Sequence, residues 1–167
     1  MDRDKLERLR ARYADASFLD VQDPYLREVV QTTRDAKGRR RAPFSGIATF
    51  LDAPAADGFQ GLDVALVGVP MDLGVSNRSG ARLGPRAIRQ IERIGPYNHQ
   101  SRLAPITRLK FADVGDCPVS RYSLDESLRD IEDYFTALVD AGVRPLSAGG
   151  DHSISYPILK AVGRERP

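Results

Sequence analysis

The apolar and polar positions of this chain fall into blocks that predict strands followed by helices. Short runs bounded by turn residues predict three strands, at 63–69, 108–113 and 143–148. The first run is apolar almost throughout, as in strands that are buried on both faces of a parallel sheet. Apolar residues that recur every three or four positions predict a helix after each strand, at 85–94, 123–142 and 154–163. This alternation predicts an α/β fold with a parallel sheet.

Local signals mark the ends of two of these helices. Pro85 suits the first turn of a helix, where its missing N–H costs nothing. Ser123 and Glu126 form a capping box, and Gly142 stands where a C-terminal glycine belongs. One face of the helix at 85–94 is defined by three isoleucines, Ile88, Ile91 and Ile94.

The N-terminal part of the chain is more polar than the rest. Residues 2–16 predict a helix capped by Asp2, with a narrow apolar stripe that favours a surface or an oligomer contact. Residues 34–43 and 52–61 predict loops, because charged residues, Gly and Pro dominate them. We therefore divide the chain into an N-terminal helix and arm at 1–42 and an α/β domain at 43–167.

Composition excludes several classes of protein. A content of 41% hydrophobic and 29% charged residues in 167 is globular, and a net charge of +2 gives no support for nucleic-acid or membrane partners. No apolar run approaches the roughly 20 residues that span a bilayer. The single cysteine, Cys117, forms no intrachain disulfide, which fits a reducing compartment. The charged N-terminus lacks the apolar core of a secretory signal, so we predict a cytoplasmic protein.

The densest polar cluster is the Gly149–Ser153 segment, Gly-Gly-Asp-His-Ser, directly after the third predicted strand. Functional sites of α/β sheets lie at the carboxyl ends of parallel strands. His152 is a candidate metal ligand, and Asp151 and Ser153 are candidates to orient it. The alternative is a histidine that is simply satisfied at a strand–helix turn. The other histidine, His99, is predicted to be a loop residue without partners.

A second polar cluster, at 68–86, also follows a strand and opens a helix. Its glycine spacing fits neither the dinucleotide fingerprint nor the P-loop, so nucleotide binding is disfavoured. At the end of the second predicted strand, the carboxylates of Asp113 and Asp116 either serve a site or close a turn, and we favour the turn.

Together, these segments resemble the ureohydrolases, the arginase/agmatinase family. The Gly149–Ser153 segment is similar to the family's first metal-binding motif, and 113–116 and 43–50 match agmatinase-like members. The stretch Ser76–Arg82, Ser-Asn-Arg-Ser-Gly-Ala-Arg, resembles an early family motif. Ser79 stands at the position where that motif commonly has proline. The resemblance runs from about residue 43 to the end, with its motifs in the family's order.

The resemblance implies a three-layer α/β/α fold and hydrolysis of a guanidino group to urea and an amine. In complete members, two bridged metal ions, usually Mn²⁺, hold the attacking hydroxide, and Ni²⁺ is an alternative. It implies His152 as a metal ligand, with Asp151, Ser153 and the glycines Gly149 and Gly150 in support. Asn77 and Arg78 are candidates for the substrate mouth, and the catalytic residues stay unassigned. Complete members are commonly trimers or hexamers, so a homo-oligomer is expected.

The sequence departs from the family in one large respect. The family's other metal ligands lie on two downstream motifs, DAHxD and DxDxxDP, and neither occurs here. We therefore expect a truncated arginase-like domain, an open sheet edge, poor solubility of the isolated chain, and activity only when the missing C-terminal half is supplied.

Two functions remain open at this stage. The first is an agmatinase-like enzyme acting on agmatine or a guanidino acid such as guanidinobutyrate or guanidinopropionate. The second is a non-catalytic relative that joins or modulates a ureohydrolase oligomer.

Overall fold

Three parallel strands with helices on both faces form the centre of the computed structural model, which describes residues 2–14, 23–32, 44–91, 97–98 and 100–164. The elements in chain order are α1 (Arg3–Arg12), α2 (Pro24–Thr32), β1 (Val64–Val69), α3 (Gly84–Arg89), β2 (Phe111–Asp116), α4 (Leu124–Asp140), β3 (Arg144–Gly149) and α5 (Ser155–Val162).

The sheet has the order β2-β1-β3, and both pairings are parallel. β1 is therefore central, and five of its six residues are buried, as its apolar run predicts. β3 lies at one edge, with Leu146 57% exposed. Within the described residues, β3 has no neighbouring strand on its outer side, as expected from the sequence.

Each face of the sheet has its own apolar cluster. On one face, Ala65, Val67 and Val69 of β1 pack in a cluster with buried residues of α4 and α5. On the other face, Leu66 and Phe111 pack with Phe50, which begins a short 3-10 turn. Pro85 places α3 on this second face, because it lies against Gly68 of β1. The three-layer α/β/α arrangement predicted from the sequence is confirmed.

α4 follows its sequence signals closely. The Ser123 side chain accepts a hydrogen bond from the Glu126 N–H at 3.2 Å, as an N-cap does. Gly142 has φ +75°, the left-handed conformation that favours glycine after a helix. Between these ends, the apolar spacing buries Ile131, Phe135 and Leu138. The predicted helix at 123–142 is confirmed.

The bounds of β2 and α3 differ from the prediction, and β2 also ends three residues later than predicted, at Asp116. β2 begins three residues later than 108–113, because Leu109 N–H donates to Pro105 O in a turn and Lys110 N–H donates to the Asp63 carboxylate. α3 ends at Arg89, short of the predicted 94. Ile91 is 53% exposed, so its helical spacing does not reflect burial in this chain. Ile94 lies outside the described residues.

The N-terminal segments divide between the surface and the core. α1 is capped by Asp2 and buries none of its residues, as predicted for a surface helix. α2 was not predicted, although its Val29 and Val30 are buried. The predicted loop at 34–43 and His99 lie outside the described residues. Among the described helices, none has the length and apolar character needed to cross a membrane.

Candidate functional site

The two polar clusters leave the sheet side by side. β1 and β3 are neighbours, and the last residues of the two strands, Val69 and Gly149, are paired. The loop at 70–83 and the turn at 150–153 therefore begin at adjacent points of the carboxyl edge. The structure thus places these two clusters where α/β sheets build their sites.

Close backbone packing joins the two segments at their base. Asp151 N–H donates to Met71 O at 2.9 Å. A Cβ on Gly150 would lie 2.7 Å from the carbonyl carbon of Met71 and closer still to its oxygen. Only glycine fits at this position. The second glycine of the Gly-Gly-Asp-His-Ser segment is therefore required by the contact with Met71.

The Asp151 carboxylate bonds to both segments. Its Oδ1 accepts from the Ser153 N–H at 2.8 Å and also from the Ser153 hydroxyl. Its Oδ2 accepts from the Gly74 N–H at 2.9 Å, across 77 positions of sequence. Asp151 thus caps the 3-10 turn at 152–154 and holds the base of the 70–83 loop.

His152 is the first residue of that turn and is exposed. Its Nδ1 lies 3.2 Å from the Ser155 hydroxyl, at the start of α5. This contact orients the ring from the helix, while the Asp151 cap orients the backbone. The imidazole is therefore presented at the carboxyl edge of the sheet, where a ligand could reach it.

A second carboxylate, Asp72, shapes the 70–83 loop. It is buried and accepts from the Gly80 N–H at 2.8 Å and from Arg82 Nε at 2.6 Å. The hydrogen bond from Arg82, with help from the Gly80 N–H, lowers the pKa of Asp72 to about 2 from its ordinary value of 3.8. The carboxylate therefore stays charged at neutral pH and closes the loop on itself.

Asn77 and Arg78, the predicted mouth residues, lie exposed near the middle of this loop. The structure brings the base of their loop, at Gly74, against the His152 turn. The loop is thus fixed at Asp72 and at Gly74 while its tip faces solvent.

Asp113 and Asp116, left open by the sequence, are engaged by Arg89. Its guanidinium bonds Asp113 through Nε at 2.8 Å and Nη2 at 2.9 Å, and Asp116 through Nη1 at 2.5 Å. It also lies over the Phe50 ring, 4.1 Å from the centroid. Burial alone lowers the pKa of Arg89, but the bonds to Asp113 and Asp116 outweigh it and raise that pKa. These carboxylates stabilise the fold, but 113–116 belongs to strand β2, so the interpretation of this segment as a turn is wrong.

The lone cysteine is no candidate nucleophile. Cys117 is buried, and burial raises the pKa of its thiol to about 12. Since the thiolate is the reactive form, this side chain stays inert at neutral pH.

The described residues do not complete a metal centre. Within them, no three His, Cys, Asp or Glu side chains lie close enough together to hold a metal ion. The nearby carboxylates are already bonded, Asp72 to Arg82 and Asp151 to three donors. Among the described side chains at this edge of the sheet, His152 is the one still available to bind a metal ion. One histidine does not hold a pair of ions, so a two-metal site does not fit the described residues alone.

Sequence reasoning placed Asp72, Gly74 and Arg82 in the polar cluster at 68–86 but did not predict the contacts that they make. The Gly74 amide and the Asp151 carboxylate are 77 positions apart, and no local spacing indicates such a contact. Asp72 and Arg82 are ten positions apart in an irregular loop, which has no period from which to predict a pair.

Comparisons with known proteins give one matching family and several similar individual proteins. The family model of the arginase family matches residues 62–167. A guanidinopropionase from Pseudomonas aeruginosa is 46% identical over 125 residues, which are 74% of this chain and 39% of that protein. A mitochondrial agmatinase from Gallus gallus is 46% identical over 121 residues, 72% of this chain and 36% of that protein.

A solved structure agrees with these sequence matches. The proclavaminate amidino hydrolase from Streptomyces clavuligerus superimposes with a TM-score of 0.70 at 28% identity, over 75% of this chain and 42% of that one. The chain therefore spans less than half the length of each of these three relatives.

Proposed function

Because this chain belongs to the arginase family, we propose that it supplies one side of the active site of a metal-dependent hydrolase that releases urea from a guanidino compound. The observation that carries the proposal is the exposed His152, held on a capped turn beside the 70–83 loop. In this proposal His152 binds a metal ion, and the loop with Asn77 and Arg78 forms the substrate mouth.

The remaining metal ligands would come from a part of the fold outside the region over which this chain matches its relatives. We propose Mn²⁺ as the metal, two ions per complete site, with Ni²⁺ as the alternative. Bound metal lowers the pKa of its water and thereby supplies a nucleophile at neutral pH. The contribution of this chain is to hold the His152 ring, through Asp151 and Ser155, and to shape the mouth.

We propose agmatine or a guanidino acid as the substrate. The matched relatives include both kinds, a guanidinopropionase and an agmatinase. The two substrate classes differ in the tail, which is an amine in agmatine and a carboxylate in the guanidino acids.

The test is urea release by a chimera. Residues 1–167 are fused to the part of the Pseudomonas aeruginosa guanidinopropionase that follows the matched region. The chimera is assayed with Mn²⁺ or Ni²⁺ on agmatine, guanidinobutyrate, guanidinopropionate and arginine. We expect urea from the chimera, none from the 167-residue chain alone, and a loss of about 100-fold or more in the His152→Ala chimera, since outer partners of metal ligands alone are worth 10–100-fold.

Two results would contradict the proposal. Urea from the His152→Ala chimera at the unsubstituted rate would remove His152 from the site. Urea from the chain alone would show that it completes a metal site by itself, which the described side chains do not do.

A second candidate function is a non-catalytic chain that joins a ureohydrolase oligomer. The incomplete set of metal-binding side chains in the described part of the chain and the exposed edge at β3 favour it. Mixing the chain with intact guanidinopropionase and separating by size discriminates the two. Co-elution with altered urea release supports this function, and separate elution excludes it for that partner.

The assembly and location of the complete protein are also proposals. We propose a trimer or hexamer, to be measured by light scattering on the chimera. We propose a cytoplasmic location. Because the Gallus gallus relative is mitochondrial, cell fractionation that separates the cytosol from mitochondria is the test.

A further inference from the structure

One carboxylate serves both halves of the candidate site. We propose that Asp151 is a positioning residue that couples the mouth loop at 70–83 to the His152 turn, so that a change in either one moves the other. The coupling itself rests on the contacts of Asp151 with both segments. Its effect on catalysis rests on the proposed function.

The geometry gives the two oxygens of Asp151 separate tasks. Oδ1 takes both donors of Ser153 and so fixes the turn that presents His152. Oδ2 takes the Gly74 N–H at 2.9 Å and so fixes the base of the mouth loop. A planar carboxylate cannot shift one oxygen without the other, which links the two tasks mechanically.

Steric contact supports the same link from the side of the loop. A Cβ on Gly74 would lie 2.9 Å from Ser153 Oγ, 3.0 Å from Ser153 Cβ and 3.2 Å from Asp151 Oδ1. The loop thus packs directly against the two side chains that hold the turn. Gly74→Ala should therefore disturb the His152 turn although it changes only the loop.

Amide hydrogen exchange on the 167-residue chain tests the coupling without any activity. We expect Asp151→Ala to speed exchange about tenfold at both the Gly74 and the Ser153 amides, since each loses a bond to a charged acceptor. Ser153→Ala removes only the hydroxyl and leaves the backbone N–H bonds to both Asp151 oxygens in place, so the Gly74 amide should change far less than in Asp151→Ala.

Asp63→Ala is the matched control. The Asp63 carboxylate also accepts from a backbone N–H, that of Lys110 at 2.7 Å, but at the amino end of β1. Its substitution should speed exchange near Lys110 and leave the Gly74 and Ser153 amides unchanged. This separates the loss of any backbone-binding carboxylate from the loss of this one.

The imidazole signals give a second readout. The chain has two histidines, so the His152 resonance can be assigned with His152→Ala. We expect Gly74→Ala to shift the His152 ring signal and leave that of His99 in place. An unmoved His152 signal, or a Gly74 amide that exchanges normally in Asp151→Ala, would overturn the coupling.

If Asp151→Ala unfolds the chain, Asp151→Asn replaces it. One amide oxygen can still accept from one segment, while its NH₂ group opposes a donor of the other. Faster exchange at one of the two amides at least, without global loss of protection, then supports the coupling. Normal exchange at both overturns it.

The catalytic consequence is measured on the chimera. We expect Asp151→Asn to raise KM and lower kcat together, about tenfold each, because mouth and ligand are both displaced, while Ser153→Ala should change both far less, because it leaves the backbone bonds to both Asp151 oxygens in place. If the exchange results hold but the unsubstituted chimera is inactive, the proposed function fails and the coupling stands. If the chimera is active but Asp151→Asn is indistinguishable from it, the catalytic role of the coupling fails.

Discussion

At the scale of single residues, the carboxylates near the carboxyl edge are bonded to the chain itself. Asp72 holds its own loop, Asp151 joins two segments, and Asp113 and Asp116 hold Arg89. Such carboxylates stabilise by pairing backbone and side-chain donors of the neighbouring segments, and removing one carboxylate leaves its donors without that partner. His152, by contrast, is exposed and has an oriented ring that a ligand can reach.

The depressed pKa of Asp72 makes a prediction for pH. A carboxylate with a folded pKa of about 2 and an ordinary pKa of 3.8 stabilises the fold fully above about pH 4 and loses that contribution as pH falls toward 2. We expect Asp72→Asn to lower the urea midpoint of unfolding clearly at pH 6, and the difference from the unsubstituted chain to shrink toward pH 2.

Asp140→Asn provides the control for Asp72→Asn. Asp140 also pairs with an arginine, Arg164, but the pair is exposed and worth little. Its effect on the midpoint should be small at pH 6. A gap between Asp72→Asn and the unsubstituted chain that stays constant from pH 6 to pH 2 would contradict the role assigned to the charge.

At the scale of elements, what the sequence predicts depends on how local the cause is. β1 is predicted by its apolar run, and α4 by its cap, spacing and terminal glycine, because each cause lies within the element. The start of β2 is set by a turn at 105–109 and a bond from Asp63, which the run itself does not contain. The candidate site divides likewise: the position of His152 was predictable, while the bond between Gly74 and Asp151 was not.

The joint between β3 and the 70–83 loop gives a prediction for Gly150→Ala. The new methyl would meet backbone atoms of Met71, which cannot move aside as a side chain can. We expect a loss of about 3 kcal/mol in the free energy of unfolding, at the upper end of overpacking costs. Chemical denaturation measures it.

Gly58→Ala is the matched glycine control. Its methyl would meet only the flexible end of Gln60, so we expect a change within about 0.5 kcal/mol. Equal losses at Gly150 and Gly58 would show that the contact with Met71 does not set the cost.

At the scale of the whole molecule, the core is built from β1 outward and is thinnest at β3. Leu146 is 57% exposed on this strand. On α5, Pro157 and Ala161 are buried, while Tyr156 and Leu159 are 69% and 68% exposed. A helix that is apolar on two sides is typical of one with neighbours on both. The relatives, more than twice as long as their matched parts, have further chain that could supply such neighbours.

We therefore expect the isolated 167-residue chain to self-associate as its concentration rises, because an unpaired strand edge and an exposed apolar helix face both favour it. Leu146→Lys and Leu159→Lys should each shift the population toward monomer in light scattering, since a charge opposes burial at the contact. Tyr122→Lys, at a residue 89% exposed in the turn before α4, is the control and should leave the association unchanged. If the unsubstituted chain is instead a monodisperse monomer that unfolds cooperatively, β3 and the exposed face of α5 are stable without a neighbour. The exposed apolar residues would then give no support for further chain packing against them.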